Sequence, residues 1–205
     1  MAPSLSPDEE PLPLDEQQAL LDIVYRSILS GLTGGGPMEP DVNKLPERLR
    51  RNQGAFVTLR VKGQLNGCIG SLGAEDPLAS IVARVSWEAA FADFRLPSLE
   101  REDLERLHIE ISVLSPLEPM QVTSEESLLA ALRPGVDGLL IDAGFAHATF
   151  LPAVWKEYPE PGFFVRHLKA KAGLPPDWWS PDMKVFRYSA FEFGVDAASL
   201  SPPAG

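Results

Sequence analysis

A chain of 205 residues, 44% of them hydrophobic, has the size and composition of one globular domain or of two closely packed lobes. A formal net charge of -11 argues against general affinity for nucleic acid or for anionic membranes. Cys68 is the only cysteine, so no intramolecular disulfide can form, and a reducing, cytoplasmic setting is expected.

The opening stretch, MAPSLSPDEEPLP, has neither the basic start nor the apolar core of a signal peptide. No apolar run approaches the roughly 20 residues needed to span a bilayer. Residues 1–13 read as a disordered acidic, proline-rich tail, residues 14–195 as one globular domain of two packed lobes, and residues 196–205 as a loose tail. Asp15, with Gln18 behind it, predicts a capping box. Leu20, Leu21, Val24, Tyr25, Ile28 and Leu32 then recur at helical spacing, predicting a helix over 15–32 that Gly31 and Gly34-Gly35-Gly36 end. Ala55–Val61 is β-rich, Lys62-Gly63 can turn, and Gln64–Gly70 returns as a partner strand.

Asp76-Pro77 predicts the start of a helix, with Asp76 as N-cap. Leu78, Ile81, Val82, Val85 and Ala89 form one apolar stripe of it, and Trp87, Phe91 and Phe94 a second, so it should be packed on two sides. His108–Leu114 alternates as a strand with Ile109, Ile111 and Val113 on one face. A short helix follows at Glu125–Leu132, then a hairpin of Gly138–Ile141 and His147–Phe150. Phe163, Phe164 and Leu168 begin another helix, which Gly173 caps, and Val185–Phe193 reads as one final strand. Strands beside hairpin partners indicate an α+β fold of two-lobed α/β character, its sheets mostly antiparallel or mixed and flanked by helices. The order helix, hairpin, helix, strand occurs twice and suggests an internal duplication, although the halves share no convincing sequence identity.

Several blocks carry a family likeness. Leu65-Asn66-Gly67-Cys68-Ile69-Gly70, preceded by Gly54–Leu59, resembles the signature region of the AMMECR-one domain family. Ala89–Pro97 is similar to that family's Ala-Phe-x-Asp-x-Arg segment, and His108–Leu114 with Glu118-Pro119, Thr149–Trp155 and Lys171–Leu174 resemble later blocks in the same order. The resemblance implies two lobes with a cleft between them. It also implies partners in a shared pathway, a Memo-like protein and a radical-SAM protein, but no settled reaction. One position departs: the family usually carries Arg between the Leu and the Gly, where this chain has Asn66. Regular alternation would set position 66 on the face of Cys68, where an Arg would favour the thiolate and Asn cannot.

The candidate site is therefore Cys68 as nucleophile or redox thiol, with Asn66, Gly67 and Gly70 as binding positions where a ligand can approach closely. A buried, inert cysteine in a tight strand fits the same glycines. A cysteine nucleophile wants a base, and His147, in the second hairpin, is the histidine placed to face a cleft. His108, sharing a strand face with Glu110 and Ser112, fits the polar side of a half-buried sheet, and His167 a surface helix position. Asp93 and Arg95 are either polar groups presented to a cleft or a pair that ties down a helix exit. No spacing suits a metal or a phosphate loop, and no cofactor is expected. The expectation is an accessory or partner-binding protein, with a small-molecule enzyme around Cys68 as the alternative. A nucleic-acid-associated regulator is disfavoured by the acidity.

Overall fold

A computed structural model describes residues 11–73 and 75–200. The expected tail at 1–13 falls mostly outside these residues, as does the last part of that at 196–205. Leu12, Ala197 and Leu200, all assigned to tails by the sequence reading, are buried. No helix among the described residues is long and apolar enough to cross a membrane. The chain forms two compact units, one containing residues up to Leu114 together with those from Phe191 onward, the other Ser115–Ala190.

The first unit contains α1 (Leu14–Leu32), β1 (Ala55–Val61), β2 (Gln64–Ser71), α2 (Leu78–Phe91) and β3 (Leu107–Leu114). Its sheet is completed by β8 (Ala190–Asp196), in the order β2-β1-β3-β8. The β1–β2 turn places Lys62 at φ 54° and Gly63 at φ 80°, the two left-handed positions of a turn whose twist suits a hairpin. Alternate residues Val57, Leu59, Ile109 and Ile111 are fully buried, so one face of the sheet makes the core with α1 and α2. α2 packs on α1 along one side and on β1 and β2 along another, which accounts for its two apolar stripes.

Three sequence expectations fail here. α1 has no capping box: it starts at Leu14 without a side-chain cap, and Gln18 bonds Asp22 instead. The buried Leu12 fixes the entry of the chain, and Gln17 Nε2 donates to its carbonyl. Asp76 does not cap α2 either. Leu78 N–H donates to Arg51 C=O and Pro77 bridges to Asn52, so a neighbouring segment accepts from the helix's first turn. Phe94 is no part of the second stripe, because the helix ends at Phe91 and the Phe94 side chain is 97% exposed.

The second unit contains β4 (Glu118–Pro119), α3 (Glu125–Ala131), β5 (Gly138–Asp142), β6 (His147–Phe150), α4 (Pro161–Lys171) and β7 (Lys184–Tyr188). Its sheet runs β4-β7-β5-β6. Ser124 and Ser127 form the capping box of α3, and Gly173, at φ 75°, ends α4 as its position predicts. The stacked rings of Trp155 and Phe164, 3.9 Å apart, centre the core.

The segment expected as one strand over Val185–Phe193 is two. Ser189 separates β7 from β8, and the two strands belong to different sheets. Ser189 N–H donates to Ser115 Oγ while its carbonyl accepts from Ser115 N–H, both at 2.9 Å, so its backbone groups go to a loop rather than to a ladder. The expected repetition of elements is present. Each unit has a helix, a hairpin, a helix and a strand, with orders β2-β1-β3 and β6-β5-β7. The fourth strand is exchanged: β4 follows β3 in sequence but pairs with β7, and β8 follows β7 but lies beside β3.

Candidate functional site

The signature strand β2 is an edge strand, and a bulge decides which way its cysteine points. The tight turn sets Val61 opposite Gln64 and Arg60 opposite Leu65. Continued unchanged, that register would pair Cys68 with Val57 and turn it into the core. Between Arg60 and Leu59 the register shifts by one, and Asn66 becomes the extra residue. Cys68 then opposes Thr58, and its side chain moves to the open face of the sheet. The same bulge interrupts the alternation that would have set Asn66 beside Cys68. The Asn66 amide instead donates to Pro97 C=O at 3.3 Å, beyond the end of α2.

Cys68 is half-buried. Its Sγ accepts a hydrogen bond from Thr58 Oγ1 at 3.4 Å, the one side-chain partner it has among the described residues. The glycines around it serve close packing. A Cβ at Gly67 would lie 1.9 Å from Ala89 O, so β2 rests directly on the backbone of α2. A Cβ at Gly70 would strike the Phe56 ring, which covers that glycine on the face where Cys68 stands.

Asp93 and Arg95 are brought to the backbone of Cys68. Asp93 Oδ2 accepts from Cys68 N–H at 3.1 Å, and Arg95 Nη2 donates to Cys68 C=O at 2.9 Å. Arg95 also grips Asp93 with two donors, Nε to Oδ1 at 2.8 Å and Nη2 to Oδ2 at 2.7 Å. The pair thus takes the place that a further strand would occupy on this edge. The Arg95 hydrogen bond is the main cause that lowers the Asp93 carboxyl to about 2, against the opposing effect of burial. The same bond raises Arg95. A carboxylate so acidic and so fully engaged is a poor general base near neutral pH, and its geometry is that of an anchor.

Among the described residues, none of the three histidines bonds a member of this cluster. His108 Nδ1 is bonded to Asp196 Oδ1 at 2.7 Å. His147 is exposed in the second unit, opposite Asp142 in the hairpin ladder. His167 stacks on Tyr158 and bonds Phe163 C=O through Nδ1. The structure therefore joins Asn66, Gly67, Cys68, Gly70, Asp93 and Arg95 along one strand, and gives Cys68 no hydrogen bond from His147. Thr58 is the site residue that sequence reasoning missed. A hairpin drawn from its turn alone puts it opposite Gly67, and only the bulge brings it to Cys68.

The family model described as AMMECR1 matches residues 21–193. A protein of Methanothermobacter thermautotrophicus is 37% identical over 189 residues, covering 91% of this chain and 97% of that one. Protein MK0488 of Methanopyrus kandleri is 32% identical over 90% of each chain. The crystal structure of the uncharacterized protein PH0010 from Pyrococcus horikoshii superposes with a TM-score of 0.81 at 29% identity, covering 91% of this chain and 93% of that one.

Proposed function

Since this chain belongs to the AMMECR1 family, we propose that it acts as an accessory, partner-binding protein, and that its partners are a Memo-like protein and a radical-SAM protein. The observation that carries the reading is Phe94. Its ring is 97% exposed, yet the residues on either side of it are both tied to the backbone of Cys68. A large apolar side chain held in water on an anchored turn gains most when a partner covers it. Burying such a ring removes on the order of 150–250 Å² from water. Anchors of this kind contribute roughly 2–4 kcal/mol to an interface. The engaged Asp93 and the absence of a histidine bonded to Cys68 among the described residues favour a scaffold over an acid–base site.

Tagged chain recovered from cells under reducing conditions tests this reading. It should bring down one or both partners, and F94A should not, while its unfolding transition stays where the parent's is. Failure to recover either partner, with tagged controls working, would contradict it.

A second reading, a small-molecule enzyme using Cys68, is favoured by the half-buried position of that residue and by Arg95, whose guanidinium donates to its backbone carbonyl. It requires C68S to keep the fold and lose activity.

A further inference from the structure

We propose that the open face of the first unit's sheet carries a binding site for a small hydroxylated oxyanion, such as a sugar or polyol phosphate, built on Arg60, His108 and Glu110. This goes beyond partner binding and uses none of the Cys68 anchor.

The three residues share a face. Their chain neighbours Leu59 and Ile109 are fully buried on the core side, so alternation sends Arg60, His108 and Glu110 to the other side. Arg60 stands directly opposite His108 in the β1–β3 ladder, at the spacing of roughly 5 Å at which cross-strand side chains meet. Glu110 is two residues along the same strand.

The imidazole is oriented rather than loose. Asp196 accepts from Nδ1 at 2.7 Å, and this leaves Nε2 as the nitrogen with an open lone pair in the neutral ring. Asp196 therefore acts as a positioning residue. The ring lies along β8. A Cβ built at Gly194 would come 3.0 Å from Nε2, 2.6 Å from Ile109 O and 3.3 Å from Glu110 Cα. Gly194, having no side chain, thus lets the ring lie close against β8 beside Glu110. Among the described residues neither the Arg60 guanidinium, the Glu110 carboxylate nor His108 Nε2 has a hydrogen-bond or ion-pair partner. A cation, an acceptor nitrogen and a carboxylate on one face of the sheet, none paired with another, fit a ligand with matching groups. Its oxyanion pairs with Arg60, one hydroxyl donates to Nε2, and a second hydroxyl donates to Glu110.

The test follows His108 by ¹⁵N and ¹³C NMR in the intact chain. Neutral His108 should be the Nδ1–H tautomer. Glycerol 3-phosphate should shift its ring signals saturably and bind at least about tenfold tighter than inorganic phosphate. R60Q should weaken that binding by about tenfold or more without changing the tautomer, and glycerol alone should not bind. The Nε2–H tautomer, no saturable shift, equal affinity for inorganic phosphate and the ester, or an R60Q variant that binds as the parent does would each overturn the site. Partner recovery in R60Q stays as in the parent if only this proposal is wrong, so its failure is separable from failure of the partner-binding reading.

Discussion

Replacing Asp93 by Asn tests the anchor quantitatively. The carboxyl falls from its ordinary 3.8 to about 2, with the Arg95 hydrogen bond as the leading cause. A group depressed in this way adds stability above its unfolded value, near pH 4, and loses it as pH falls through the folded value. At about 1.4 kcal/mol per unit, the shift corresponds to roughly 2 kcal/mol at neutral pH. Solvent screening lowers this, since the Arg95 side chain is 51% exposed, and about 1–2 kcal/mol is expected. Urea unfolding of parent and D93N from pH 7 downward measures the gap. It should hold steady to about pH 5, shrink by roughly half by about pH 3, and vanish as Asp93 itself becomes protonated. A gap that is the same at pH 7 and pH 3 would refute the charge-based anchor and leave only a packing role for Asp93.

Other substitutions probe separate joints of the structure. G67A should cost about 3 kcal/mol or more in chemical denaturation, because the new methyl meets the Ala89 carbonyl oxygen at 1.9 Å and that oxygen belongs to a helix. E125Q should destabilise by about 3 kcal/mol, measured the same way, since it strips the 2.6 Å ion partner from the fully buried Lys169 ammonium. T58V should change stability by no more than about 1 kcal/mol and should alter the rate of Cys68 alkylation in the folded chain, because it removes the hydroxyl bonded to Sγ. F94A should shift unfolding by less than about 0.5 kcal/mol, as expected for a side chain with almost no contacts to lose.

Elements with strong periodicity were legible in the sequence. The 3.6-residue spacing of Leu20, Val24 and Ile28 marks a face that is fully buried, and the alternation of Ile109, Ile111 and Val113 marks a core strand. The Lys62-Gly63 turn and the Gly173 stop were equally plain, because they depend on backbone conformations a few residues can specify. What failed depended on long-range partners. The predicted cap at Asp76 gave way to an acceptor from Arg51, far away in sequence. The break at Ser189 depends on Ser115, and no local signal separates β7 from β8. The site was half legible: the residues of the signature strand and of Asp93–Arg95 were visible as a set, but their geometry hangs on one inserted residue, Asn66. A one-residue shift reverses the face of every side chain beyond it, and a hydrophobicity pattern that includes two glycines and a cysteine does not reveal the shift. Phe94 was misread for a simpler reason. It continues the helical spacing of Trp87 and Phe91 past the point where the helix stops.

The most direct test of partner binding through the anchored turn is a titration of purified chain into a purified Memo-like protein and a purified radical-SAM protein, alongside F94A and C68S. Saturable binding to at least one of them is expected, weakened by roughly 30-fold or more in F94A, in line with an anchor of about 2 kcal/mol or more, and unchanged in C68S. Binding that survives in F94A and disappears in C68S would contradict it, and would move the working surface from the exposed ring to the thiol.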